Sequence, residues 1–142
     1  MTPKEYFQFT FKLDNIVQEK INLSTALKNK IFSLNTKLRE ELVQTSRGNA
    51  TEEQLARYFD LQSEINQAID DLADYRLKIA FEISELSDDR YRMVLSERYV
   101  RGKKFEQIAV DRGYDIRWIY KLHGQALQAF GDKFPEKFLN GH

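Results

Sequence analysis

Residues Phe105 to Gly124 read FEQIAVDRGYDIRWIYKLHG, an order of small, apolar and turn residues that predicts two short helices crossing closely about a tight turn. Ala109 falls midway along the first helix, where a larger side chain would collide with a helix packed across it. Gly113 follows four residues later, where a left-handed backbone is easiest for glycine. Ile108, Ile119 and Leu122 are spaced so that one face of each helix buries against the other. Arg117, Tyr120 and Lys121 are then left pointing outward, as a recognition helix presents its side chains to a major groove. Asp115 directly precedes the second apolar run and can cap it.

Two amphipathic helices joined by a glycine turn satisfy part of this pattern without binding anything, so the flanks matter. Lys103 and Lys104 open the first helix, where such a helix crosses the phosphate backbone. Residues Leu86 to Val100 supply a third helix to pack against, with Tyr91, Val94, Leu95 and Tyr99 as its buried stripe and Gly102 as its terminator. The expected base readers are Arg117, Tyr120 and Lys121, and the guanidinium fork of Arg117 suits the O6 and N7 acceptors of guanine. The expected phosphate-side set is Arg101, Lys103, Lys104, Asp115 and Gln125. Trp118 is expected to pack against the preceding helix, and His123 to pack or to touch phosphate. Gly124 costs roughly 1 kcal/mol of helix stability relative to alanine and leaves room for a DNA backbone to approach.

The run LSDDRYRMVLSERYVRGKKFEQIAVDRGYDIRWIYKLHGQAL, Leu86 to Leu127, resembles the promoter-reading fourth region of bacterial sigma factors. It is similar in particular to small phage-encoded regulators that carry that region alone, the RinA and ArpU type of late-gene activator. The matching elements are Arg98-Tyr99, Gly102-Lys103, Ile108-Ala109, Gly113-Tyr114, Leu122-His123 and Ala126-Leu127. The resemblance implies a DNA-binding transcription regulator, phage or prophage encoded, with RNA polymerase as a further partner. It covers about a third of the chain. Two positions depart from it: Asp115 stands where serine is usual, which puts negative charge near DNA, and Gly124 interrupts the recognition helix.

The rest of the chain carries a different pattern. Apolar residues recur at Leu13, Ile16, Val17, Leu23, Leu27, Ile31, Leu34, Leu38 and Leu42, mostly in steps of three and four, which marks one face of a long helix. Ser46 to Ala50 breaks the pattern, and Thr51 with Gln54 forms a capping box for a second helix. That helix carries Leu55, Tyr58, Leu61, Ile65, Ile69, Leu72, Tyr75, Ile79, Ile83 and Leu86. The fold expectation is therefore all-α: a long antiparallel, coiled-coil-like helical hairpin over residues 1–85, a helix-turn-helix module over 86–130 and a tail over 131–142. Ile21, Phe32, Val43, Phe59, Leu77 and Phe81 lie off the hairpin's seam, and leaving each in water forfeits roughly 1.5–3 kcal/mol. A second copy of the chain is the simplest cover, so a homodimer through the hairpin is expected. The competing reading is that the C-terminal module and the N-terminus cover the hairpin of their own chain.

Thr2 with Glu5 reads as a capping box with Pro3 at the first helical position. The aromatics Tyr6, Phe7, Phe9 and Phe11 that follow are expected as a short helix folded onto the core, with a partner-docking patch as the alternative. Phe130, Phe134, Pro135 and Phe138 are read the same way.

Composition excludes several classes. The chain has 142 residues and no cysteine, so no disulfide framework and no thiolate site is possible. No apolar run approaches twenty residues and no signal-like N-terminus is present, so the expectation is a soluble protein of the bacterial host cytoplasm, with no membrane partner. Its 22 basic and 22 acidic residues cancel, yet the distribution is uneven: plus three over residues 1–50, minus six over 51–86 and plus three over 87–130. A basic C-terminal segment still attracts phosphate, because screening removes the acidic middle beyond roughly 8 Å at physiological salt. No cofactor, metal site or catalytic group is expected. His123 and His142 are far apart in sequence, Asp70, Asp71 and Asp74 read as a solvated helix face, and Asp88 and Asp89 as favourable charge at a helix start. Two function classes follow: a promoter-reading regulator, or an interaction protein whose hairpin grips a partner, such as a small-terminase-like DNA-packaging subunit or a polymerase-binding factor.

Overall fold

The structure, a computed structural model, describes the backbone of residues 1–38 and 48–138 and the side chains of 1–31 and 52–138. The described residues form helices joined by short turns, with no strand among them. In chain order they form α1 (Pro3–Leu38), α2 (Gly48–Ile83), α3 (Asp89–Leu95), α4 (Phe105–Arg112), α5 (Ile116–Lys133) and α6 (Pro135–Phe138), with a π-helical turn at Ser96–Val100 extending α3. No described helix is long and apolar enough to cross a membrane.

The capping box forms as its residue types require. The Thr2 amide donates to Glu5 Oε1 (3.0 Å) and the Glu5 amide to Thr2 Oγ1 (3.2 Å). From there α1 runs unbroken for 36 residues, about 54 Å at roughly 1.5 Å per residue, so the aromatic N-terminus is the first turns of the long helix and no separate short one. Helix α2 begins at Gly48, inside the stretch expected to break the pattern. Thr51 therefore lies in its first turn and is not the residue that caps it, because a single glycine or asparagine is a weak breaker when flanked by helix formers. Leu42 and Val43 and the tail Asn140–His142 lie outside the described residues, as do the side chains of the expected seam positions Leu34 and Leu38, of the off-seam Phe32 and of Thr51.

The chain divides into two compact units. One joins Met1–Leu13 to Leu72–His142, and the other is Asp14–Asp71. The first unit holds the main core. Phe7, Ile79, Ile83, Val94, Leu95, Tyr99, Ile108, Ile119, Leu122, Ala126 and Phe130 are all at most 1% exposed. Phe7 lies at its centre, stacked on Tyr99 (5.0 Å) and edge-on to Phe130 (4.5 Å). Polar ties close the rim: the Tyr6 hydroxyl donates to Glu82 Oε1 (2.5 Å), Lys137 pairs with Glu82 Oε2 (2.8 Å), and the Tyr75 hydroxyl donates to the Tyr6 carbonyl (2.6 Å). Burial and the neighbouring carboxylate push the Tyr6 phenol well above its ordinary value and that of Tyr75 up to about 12. Phe134 and Phe138 pack against the same core, and α5 continues three residues past the expected module end at 130.

In the second unit α1 and α2 run antiparallel, since Lys20 pairs with Glu64 (2.9 Å) while, one turn on, Gln62 hydrogen-bonds Ser24. Val17, Ile31, Ile65 and Ala68 are its buried apolar side chains among those described, with Ser24 beside them. Leu23, a seam position by its spacing, instead faces solvent at 61% exposure; the preceding and following seam residues place Ser24, one residue on, toward α2. Ile69 and Leu55 of the expected second stripe are also exposed, as are Phe59, Leu77 and Phe81.

Candidate nucleic-acid interface

The module that carries the candidate residues is built from α3, α4 and α5. Asp88 caps α3, accepting from the Arg90 amide (2.8 Å), which is the role its charge at a helix start suggests. After the π turn, in which the Arg101 amide reaches back to the Ser96 carbonyl (2.9 Å), Gly102 takes φ +72° and ends the segment. Helix α4 closes on Gly113, whose φ of +71° lets the Tyr114 amide reach the Ala109 carbonyl (2.9 Å) and its own amide the Val110 carbonyl (3.3 Å), a Schellman end. Asp115 then caps α5, accepting from the Arg117 amide (2.8 Å). Three residues thus separate the two helices, and each does what its chemistry allows.

The predicted packing set comes together. Ile108 and Ala109 of α4 and Ile119 and Leu122 of α5 are buried in one cluster with Val94 and Leu95 of α3. Trp118 is half-buried against that cluster, as expected. His123 also turns inward: its Nε2 lies 2.7 Å from the Tyr99 hydroxyl and its ring sits edge-on to Phe105 (4.8 Å). Burial, with nearby Arg98 and Lys4 adding to it, pushes its pKa down to about 4, so the imidazole is neutral at physiological pH. It is a packing residue in this structure, with no charge to offer a phosphate.

The outward face of α5 carries Arg117, Tyr120, Lys121, Gly124 and Gln125, all exposed. The side chain of Arg117 is 88% exposed, its Nε 3.2 Å from Asp115 Oδ1. Asp115 is thus a cap and a holder for Arg117; its carboxylate, kept below the usual range by those contacts, has the wrong sign for a phosphate. Tyr120, exposed, leans edge-on against Phe105 (5.3 Å), and Lys121 Nζ lies 6.0 Å over the Trp118 ring. Gly124 has open space where a Cβ would stand, and beside it a groove of about 500 Å³ runs between α5 and the first turn of α1, with Lys4 and Leu127 on its walls.

The phosphate-side set is split. Lys104 is exposed and makes no ion pair among the described residues. Lys103 is engaged internally, at 2.6 Å from Glu97 Oε2 and 2.9 Å from Asp111 Oδ2, and Arg101 reaches Glu97 Oε1 at 3.4 Å. Glu97, missed in the sequence, is the centre of this arrangement: its side chain is 4% exposed and also binds Arg112 (3.0 Å). Those cations hold its carboxyl below the usual range, Lys103 foremost. Arg98 is a second such residue. Its guanidinium lies between the Phe11 and Phe105 rings (4.6 and 4.4 Å) and donates to the Lys103 carbonyl (3.0 Å). The i to i+4 spacing of Glu97 and Arg101 is the one sequence signal for the cluster.

Comparison of the chain with family models, with curated proteins and with solved structures finds no match.

Proposed function

We propose that this protein is a sequence-specific DNA-binding transcription regulator of the phage-encoded, sigma-region-four-like kind, working in the cytoplasm of a bacterial host and reading a promoter element through a helix-turn-helix formed by α4 and α5. The observation that carries the reading is the division of α5. One face, Ile119, Leu122, Ala126 and Phe130, is wholly buried, and the other presents Arg117, Tyr120 and Lys121 to solvent on a backbone held by a cap, a turn and a core. A helix with an exposed guanidinium in its first turn is the geometry that direct readout in a major groove requires. Lys104 and Lys121 supply unpaired positive charge beside it for phosphate. RNA polymerase is the partner this kind of regulator would need for activation.

The roles are separable by titrating a recognised duplex and a scrambled one against variants. Arg117→Ala should lose roughly 1–3 kcal/mol of discrimination at one base pair. Lys104→Ala should weaken both duplexes equally and reduce the salt slope by about 0.9. Equal weakening of both duplexes by Arg117→Ala would remove it from the base-reading role. The alternative, an interaction protein, is favoured by one observation, the large apolar side chains Leu23 and Phe59 left in solvent on the Asp14–Asp71 unit. It predicts that the wild-type chain retains either no duplex or all duplexes alike.

A further inference from the structure

The Asp14–Asp71 unit has too thin a core for its apolar content. Two helices bury Val17, Ile31, Ile65 and Ala68 among the described side chains, while Leu23 stays 61% exposed. Leu23, Leu27 and Leu61 line a groove of about 570 Å³ along one side of the pair, and nothing in the chain's described residues fills it. The rims of that groove differ in sign. Helix α1 contributes Lys20 and Lys30, and α2 contributes Asp60 and Glu64 against Arg57, with exposed Glu53 one turn before Arg57 on the same side of the helix. The Lys20–Glu64 and Ser24–Gln62 pairs fix the register, so Lys30 stands level with residues 54–56, with Glu53 and Arg57 on either side of that level. Lys30, Arg57 and Asp60 have no ion-pair partner among the described residues.

We infer that this groove is the seat of a second copy of the chain, giving a homodimer in which α1 of each copy lies on α2 of the other. A two-fold axis parallel to the helices achieves this and is the arrangement the charges favour. It lays the basic rim of one copy on the acidic rim of the other, Lys20 by the partner's Glu64 and Lys30 by the partner's Glu53, and sets Leu23 against the partner's Leu61. An axis across the helices would instead place α1 on α1, basic rim on basic rim. The inference stands apart from the DNA reading, since the groove and its charges lie wholly in the other unit.

Sedimentation equilibrium of the full chain over micromolar concentrations tests it, with helical circular dichroism recorded on each sample. The wild type should be dimeric, and Leu23→Glu should weaken association at least ~100-fold, because each copy loses a buried leucine. Phe59→Glu, on the opposite side of α2, should leave association unchanged. Lys30→Glu and Glu53→Lys should each weaken self-association about tenfold, while an equimolar mixture of the two recovers a heterodimer of wild-type affinity, since both rim contacts are then of opposite sign. That mixture decides the matter even where Leu23→Glu loses helix. A wild type that is monomeric or forms a larger ring, a mixture that does not recover, or dissociation by Phe59→Glu in place of Leu23→Glu would overturn the inference.

Discussion

At the scale of single residues, buried polar groups organise the candidate interface more than the exposed ones do. Glu97 ties Lys103, Arg112 and Arg101 together from beneath, and so joins the end of α3 to the start and end of α4. Glu97→Gln keeps the shape and removes the charge. It should destabilise the protein by roughly 1–2 kcal/mol in urea unfolding, less than a fully enclosed pair would cost because its cations remain partly in water. His123 gives a pH test. Its pKa falls from an ordinary 6.5 to about 4 on folding, so the unfolded chain binds the proton first as the solution is acidified. Its contribution is whole above about 6.5 and is lost progressively as pH falls toward 4. Thermal melts between pH 7 and 5 should therefore show a falling midpoint in the wild type and a flatter one in His123→Gln. Identical slopes would place the acid sensitivity elsewhere.

At the scale of elements, two glycines of the α4–α5 segment have opposite reasons to be there. Gly113 has φ +71° and no atom within 4 Å of where a Cβ would stand, so only backbone strain opposes a substitution. Gly113→Ala should cost about 1–2 kcal/mol, the penalty of a left-handed alanine, and Gly113→Asn less. Gly124 is ordinary helix with open space around it. Gly124→Ala should therefore stabilise the free protein by up to about 1 kcal/mol. It should also weaken duplex binding if α5 enters the groove, since the added methyl stands on the face that carries Arg117 and Lys121. A gain in stability with unchanged affinity would show that DNA does not approach this turn. The elements themselves were legible where local chemistry decides them. The Thr2–Glu5 box, the Asp115 cap, the Gly102 and Gly113 ends and the burial of Ile108, Ile119 and Leu122 follow from residue type and spacing alone. The start of α2 at Gly48 and the continuity of α1 through its aromatic turns were not legible, because helix propensity is a weak prior that neighbouring turns and packing override.

At the scale of the whole molecule, the sequence divides by pattern and the structure by contact. Periodicity alone joins residues 1–85, yet Tyr6 and Phe7 belong to the core around Tyr99 and Phe130. Such contacts across more than ninety positions leave no trace in local spacing. The split of the basic residues was equally hidden. Lys103 and Lys104 are adjacent and alike in sequence, and only the fold shows that one is held by Glu97 and Asp111 while the other is free to meet a phosphate. The net charge of zero then has a simple consequence for binding: duplex affinity should rest on few unpaired cations, be modest for random DNA and fall with salt. The central claim is that the exposed face of α5 reads duplex sequence. Its most direct test is selection of duplex fragments of the source genome by the purified protein at near-physiological salt, beside a variant carrying Arg117→Ala and Lys121→Ala. The account predicts enrichment of one defined site that the variant loses. Retention of no DNA, or of all fragments equally by both proteins, would contradict it.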